Sequence, residues 1–284
     1  LFSGIPYFQS SEDRLAKTRS ILENIKNPKE RAAKLREEMS NLDSQKEKLA
    51  LMKGLFKDSE AYILSCGPTL MENNLDKLNE LVSKNLCLGI KQTYELFSDN
   101  MDFHVYNCNN FKKYSYNDSK RPIVFEASTT PYRLNDCDIK CFIKERDFNK
   151  SVSALGNIDD WTFDKQPLLR PYGPGMMFEI VFYLIEHLGF KKITTVGWDN
   201  TLTSQDPGKQ HFYDMENSGY EKSDFIEQNE VAEHVPIENL QEEEEITNSS
   251  ISLWLDWLAS SGCEVNICSS LSKAPSNIPR INIK

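Results

Sequence analysis

Ala61-Tyr62-Ile63-Leu64-Ser65-Cys66-Gly67-Pro68-Thr69-Leu70 is an apolar, β-prone run that stops at a glycine-proline turn. A helix-forming stretch, residues 71–84, follows it. Strand, tight glycine turn and helix N-terminus, in that order, form an architecture that holds phosphate groups. Glycine lets the backbone approach a ligand, the first helical N–H groups have no intrahelical acceptor, and the helix end carries about half a positive charge. The same order also opens α/β sheets that bind nothing at that turn. The stretch therefore speaks first to fold class and only second to function.

Downstream of it the pattern alternates. Strands are expected at 61–65, 85–90, 103–106, 122–127, 139–143, 193–196 and 264–268. Helices are expected at 71–84, at 175–188 with Gly189 as a left-handed cap, and at 246–260 before Gly262. Residues 146–167 read as a loop or small subdomain. Alternation of this kind predicts an α/β, Rossmann-like, mostly parallel sheet with helices on both faces, spanning residues 57–284.

Upstream, Ser10-Ser11-Glu12-Asp13 predicts a cap for a first helix ending near Lys26. Asn27-Pro28-Lys29-Glu30 restarts the chain with a cap, a proline at the first helical position and a capping-box acid. Ala32, Leu35, Met39, Leu42 and Leu49 carry that second helix towards Leu55. Residues 1–56 are thus expected as an N-terminal helical hairpin, either packed on the main domain or serving as a partner surface.

The formal net charge is −10. Twelve acidic residues and only Lys222 in opposition lie between Asp214 and Glu245, so that stretch carries −11 and the rest of the chain +1. No basic stripe points to nucleic acid as a partner. Residues 201–245 read as a long acidic, lid-like segment. No apolar run approaches the ~18 residues of a membrane span. Seven cysteines, an odd number without CxxC spacing, read as reduced buried thiols and a cytoplasmic location. Cys137 and Cys141, with no histidine nearby, make a poor zinc site.

Ligands of parallel sheets bind beyond the carboxyl ends of the strands. The residues expected there are Cys66-Gly67-Pro68-Thr69, Lys91-Gln92-Thr93, Asn107-Cys108-Asn109-Asn110, Asp199-Asn200 and Ser269-Ser270. They are mostly neutral hydrogen-bonding groups, suited to a base and ribose. No Asp-x-Asp pair follows a strand to hold a divalent ion against a diphosphate. His104 and His187 fall in apolar elements and read as packing residues. His211 opens His211-Phe212-Tyr213-Asp214, and His234 precedes Glu238 by four residues. Both histidines read either as solvated surface groups or as chemical groups. In the second case a carboxylate one helical turn from His234 would orient the ring as a general base. Arg170 precedes Pro171-Tyr172-Gly173-Pro174-Gly175, a tight loop before the most apolar helix and a second anion-receptive position, or else a rigid turn with a surface arginine.

The ordered set of these motifs resembles the sialyltransferase clan. Cys66-Gly67-Pro68-Thr69-Leu70 is similar to the Asn-Gly-Pro-Ser-Leu loop of its bacterial members, with cysteine in place of asparagine. Asn107 matches an asparagine that contacts the cytidine nucleotide. Arg170, Gly173-Pro174-Gly175, Leu188-Gly189-Phe190 and Gly197-Trp198-Asp199 follow the bacterial order, with a turn one residue longer. His211-Phe212-Tyr213-Asp214 is similar to the His-Tyr-Tyr-Glu/Asp motif of animal members, and His234 and Glu238 to their later His and Glu, at a spacing one shorter.

The resemblance implies a GT-A-like modified Rossmann domain transferring an ulosonic acid, of the sialic acid or Kdo class, from a CMP donor to a glycan hydroxyl. It implies no cofactor and no metal. Cys66, Gly67, Pro68, Thr69 and Asn107 would hold the nucleotide, and Arg170, Tyr172, Gly173 and Gly175 the phosphate or donor carboxylate. Asp199 and Tyr213 would line the substrate site. His234 would be the base, Glu238 its orienting partner, and His211 an aid to the leaving phosphate. The partners would be the nucleotide sugar and a glycan, with the N-terminal helices meeting a membrane surface or another domain. Two other classes stand beside it: an ATP-dependent pterin-type pyrophosphokinase, which has a related loop, and a non-catalytic nucleotide-binding or scaffold module that keeps the fold.

Overall fold

A computed structural model describes residues 11–107, 114–117, 119–128, 136–144, 157–171, 175–199, 211–214, 219–220 and 237–283, with backbone alone for 237–247. Eight strands form one sheet: β1 (Glu60–Leu64), β2 (Leu86–Ile90), β3 (Phe103–Asn107), β4 (Ile123–Ser128), β5 (Ile139–Ile143), β6 (Leu169–Arg170), β7 (Lys192–Val196) and β8 (Glu264–Cys268). Their spatial order is β6-β5-β4-β3-β2-β1-β7-β8, and every pairing is parallel. The chain runs outward from β1 to one edge, then returns to the other side of β1 with β7. The order therefore reverses between β1 and β7, and in open parallel sheets such a reversal is where the crossovers diverge and ligands bind beyond the carboxyl ends.

Alternate residues of each strand feed two cores. On one face Ile63, Leu88, Phe103, Phe125, Ile139, Ile193 and Ile267 pack with α1 (Ser11–Asn24), α2 (Pro28–Ser40), α3 (Gln45–Met52), α6 (Phe182–Leu188) and α7 (Ile237–Ser260). On the other, Leu64, Cys87, Tyr106, Val124 and Val196 pack with α4 (Leu75–Lys84), α5 (Thr93–Phe97) and Phe212-Tyr213. The N-terminal helices share the sheet's own core: Leu22, Leu35, Met39 and Leu49 belong to it.

Several boundaries differ from the sequence expectation. The second helix does not run to Leu55. It stops at Ser40, and Ser44 caps α3 by accepting the Glu47 N–H, so the appendage has three helices. Residues 71–84 are not one helix either: a 3-10 turn, Pro68–Glu72, precedes α4, whose Asn74 side chain accepts the Lys77 N–H. The expected 175–188 helix opens with a π-helical turn, Met177–Val181, and ends on Gly189 at φ 76° as expected. α7 begins at Ile237, nine residues early, so the end of the acidic segment is helical. A carboxylate in the first turn suits the positive end of the helix dipole. The two-residue β6 has too short a pattern to be read from sequence. Beside it the Lys140 N–H donates to the Gln45 side chain at 2.5 Å. Among the described residues no helix is long and apolar enough to cross a membrane.

Candidate active site at the β1–β7 crevice

The turn after β1 is drawn tightly onto the turn after β7. Gly67 N–H donates to the Gly197 carbonyl at 2.9 Å, and Ser65 N–H to the Val196 carbonyl at 2.8 Å. A Cβ on Gly67 would overlap the Gly197 carbonyl oxygen and the Asp199 carboxylate, so only glycine fits. Gly197 takes φ 71°, the left-handed conformation that turns the chain from β7 towards Asp199.

Asp199 is the hub of this end of the sheet. One carboxylate oxygen accepts the Thr69 N–H at 2.8 Å; the other accepts the Thr69 hydroxyl and, at 2.5 Å, the Ser269 hydroxyl. Three segments distant in sequence, the turns after β1, β7 and β8, are fastened by one buried side chain. Burial pushes the Asp199 carboxyl above its ordinary value, against the opposing pull of Ser269 and Thr69.

This corrects the phosphate-loop expectation in one respect. The Thr69 N–H, which the sequence aims at a ligand, is already bound to an internal anion. Leu70 N–H donates back to the Gly67 carbonyl at 3.1 Å, and Pro68 has no N–H. The Cys66 thiol also turns inward, donating to the Ile90 carbonyl at 3.2 Å, and burial pushes it up to about 11. It is a neutral thiol at physiological pH. What the turn offers the crevice is its shape rather than an amide nest.

The His211-Phe212-Tyr213-Asp214 segment docks on the same turn. Phe212 N–H donates to the Cys66 carbonyl at 2.7 Å, and the Phe212 ring is fully buried in the core beside Leu64 and Leu70. That anchor places His211 and Tyr213 on either side of it, with their rings stacked at 4.9 Å and 5°. Asp214 Oδ2 accepts the His211 backbone N–H at 3.0 Å and lies 3.1 Å from His211 Nδ1. An ionised carboxylate there takes the Nδ1 proton as donor and leaves the ring lone pair on Nε2. The His211 side chain is 32% exposed, whereas that of Asp214 is 3% exposed. Burial drives the Tyr213 phenol far above its ordinary value, so it stays protonated.

Asn107 ends β3, two strands along from β1. Its Oδ1 is shut off from solvent and accepts no hydrogen bond from the described residues. A buried acceptor without a donor is costly and marks a place where a donor group would be favourable. His104 and His187 are packing residues, as expected. His104 lies between Tyr116 OH at 2.7 Å and the Lys91 carbonyl at 2.9 Å, and burial lowers it to about 4.

Arg170 does not join this group. It ends β6, five strand spacings from β1 or roughly 24 Å. Its guanidinium is fully buried, 4.2 Å from the Phe163 ring centroid, and donates to the Trp161 carbonyl at 2.6 Å and to the Gln166 carbonyl. Gly175, at φ 140°, lies two residues before the π-helical turn, with its carbonyl accepting from the Phe178 and Glu179 N–H groups. Tyr172, Gly173 and His234 lie outside the described residues. Glu238 is the second residue of α7.

Two participants carry little sequence signal. Ser269 stands out only as a strand end, and Asp214 only as the last residue of the His211 motif, where a carboxylate three residues from a histidine is the local clue to the pairing. No cluster of metal-ligating side chains occurs among the described residues. No family model matches the chain, and no curated protein matches it.

Proposed function

We propose that the chain is a glycosyltransferase that moves an ulosonic acid of the sialic acid or Kdo class from a CMP donor to a glycan hydroxyl, with the β1–β7 crevice as its active site. The observation that supports this most is the 2.7 Å hydrogen bond from Phe212 N–H to the Cys66 carbonyl. It joins two motifs about 145 residues apart that resemble the same clan for separate reasons. A chance resemblance in each would give no cause for the two to meet at the switch point of the sheet.

In this reading the orphan Oδ1 of Asn107 accepts from the nucleotide, as the resemblance implies. The turn 66–69 shapes the nucleotide site, with its Gly67 and Thr69 amides held by the Gly197 carbonyl and the Asp199 carboxylate. His211, oriented by Asp214, and the protonated Tyr213 face the leaving phosphate as hydrogen-bonding groups. The acceptor oxygen bonds to the anomeric carbon of the donor as the bond to the CMP phosphate breaks. The electron pair leaves with CMP, and the acceptor proton passes to His234, the base that the resemblance implies, with Glu238 as its partner. Arg170 has no part, since its guanidinium is enclosed on the far edge. CMP is a monophosphate leaving group that needs no divalent ion to stabilise it, so activity is expected to persist in EDTA.

Calorimetry with CMP and with ATP tests the reading. CMP-selective binding is expected, and ATP-selective binding would replace the transferase with the kinase. In a CMP-sugar turnover assay, His234→Ala is expected to keep CMP binding and lose about 10²–10⁴-fold in rate, the ordinary worth of a general base. Unchanged turnover would remove His234 from the mechanism.

A further inference from the structure

A cleft of about 630 Å³ opens at the carboxyl end of β8, on the side of the crevice away from Asn107. Its walls include Glu72 and Asn73 from the end of the Pro68–Glu72 turn, Ser269 and Ser270 after β8, and Arg280 and Asn282. The segment carrying the last two lies along the outer edge of β8: Ile267 N–H donates to the Pro279 carbonyl at 3.0 Å, and Ile281 N–H to the Ile267 carbonyl at 3.0 Å. The cleft is thus built from three separate stretches of chain, and its size is that of an ordinary small-molecule site.

The floor of the cleft is fixed. The Asn73 amide donates to the Thr69 carbonyl at 2.8 Å, and its oxygen accepts the Cys268 thiol at 2.9 Å. Ser269 is bound to the Asp199 carboxylate, the group that also holds Thr69. A ligand resting on Ser269 therefore lies one hydrogen-bonded residue from the hub of the crevice. The rim is exposed and holds the groups that could select. Glu72 spans the Ser270 hydroxyl with both oxygens, at 3.0 and 2.8 Å, and each oxygen has further acceptor capacity. Arg280 uses one Nη2 donor on the Ala274 carbonyl at 2.8 Å, and a guanidinium has five.

One carboxylate, one guanidinium, hydroxyls and amides bring no net charge. Glu72 repels a phosphate, and nothing in the lining outweighs it. Vicinal hydroxyls of a sugar match such a set, since each can donate to a carboxylate and accept from a guanidinium or amide. We propose that this cleft binds a neutral saccharide and is the acceptor site of the transferase. The acceptor role rests on the glycosyltransferase reading above; the saccharide binding does not. Donor and acceptor then approach from opposite sides of the strand-order reversal, the nucleotide over β1 to β3 and the glycan over β8.

The test is titration of the isotope-labelled protein with lactose, maltose and cellobiose, each to 100 mM, followed by amide and arginine side-chain NMR shifts. Saturable shifts at Ser269, Ser270 and Arg280 are expected with at least one of the three. Glu72→Ala and Arg280→Ala, both at exposed positions, are each expected to weaken that binding by about tenfold or more while melting close to the parent. Absence of shifts with all three sugars overturns the proposal, as does binding that both variants leave unchanged. CMP is titrated separately. Shifts at these same residues with CMP would make the cleft the nucleotide's and overturn the proposal. Failure of CMP to bind anywhere would remove the transferase reading and with it the acceptor role, while saccharide shifts in the cleft would still support the binding site.

Discussion

Two of the buried charged sites among the described residues are stabilised differently. At the β1–β7 crevice a lone carboxylate, Asp199, is satisfied by neutral donors: one amide and two hydroxyls from loops. In the middle of the sheet, over β3 to β5, Glu126 is 0% exposed and paired at 2.8 Å with Lys140, itself 3% exposed. Tyr106 OH donates to the other Glu126 oxygen at 2.9 Å. These three side chains are neighbours by strand register, Tyr106 opposite Glu126 and Glu126 opposite Lys140. The first arrangement depends on where loops end and can tune a site. The second depends on register alone, and it penalises any slip because a one-residue shift of one strand would send that strand's member of the set to the opposite face and break the pairing.

The sharpest break of this contrast is Glu126→Ala. It leaves the Lys140 ammonium buried without this carboxylate and is expected to cost about 3–5 kcal/mol in urea unfolding. The double variant Glu126→Leu with Lys140→Met removes both charges and is expected to recover most of that loss. If the double variant is as unstable as the single, the register argument fails.

A smaller effect separates two buried titrating groups on β3 and just before it. His104 is lowered by burial to about 4 from 6.5, so the stability it contributes is present above pH 6.5 and lost as pH falls towards 4. Asp102 is raised by burial to about 6 from 3.8, although Lys29 at 2.8 Å pulls the other way. Its contribution is present below pH 3.8 and lost as pH rises through 6. Each amounts to about 3 kcal/mol, with opposite sign. These two contributions therefore nearly cancel between pH 6 and 4. His104→Gln should gain stability on acidification over that window, and Asp102→Asn should lose it. Parallel slopes in the two variants would refute the assignment.

The mildest change is Asp199→Asn. One amide oxygen still accepts from Thr69, and the two hydroxyls can rotate to accept from the new NH₂. A loss of about 1–2 kcal/mol is expected, with faster hydrogen exchange at the Thr69 amide as the local readout. A loss as large as that of Glu126→Ala would show that the loop hub is as demanding as the in-register pair.

Much of the fold was legible in the chain. β5 and β8 were placed residue for residue, and the other five expected strands to within a residue at each end, because buried parallel strands are short apolar runs between breakers. Gly189 was legible as a helix end because only a residue tolerant of positive φ closes a helix that way. The two-residue β6 was not legible, having no period to detect. The break at residues 41–44 was missed because the apolar positions on either side keep nearly the same spacing. Of the site, Gly67 and His211 could be singled out from local pattern. The engagement of the Thr69 amide by Asp199 could not.

By itself the sequence determined that strands and helices alternate, that the sheet is parallel, and which residues stand at the strand ends. These follow from periodicity and turn chemistry, which are local. Only the tertiary structure decided which strand ends meet. Strand order put β7 and β8 beside β1, brought Asp199, Ser269 and Phe212 onto one glycine turn, and carried Arg170 to the opposite edge. Crossover connections fix that order through packing between residues more than a hundred positions apart, and no local pattern encodes it.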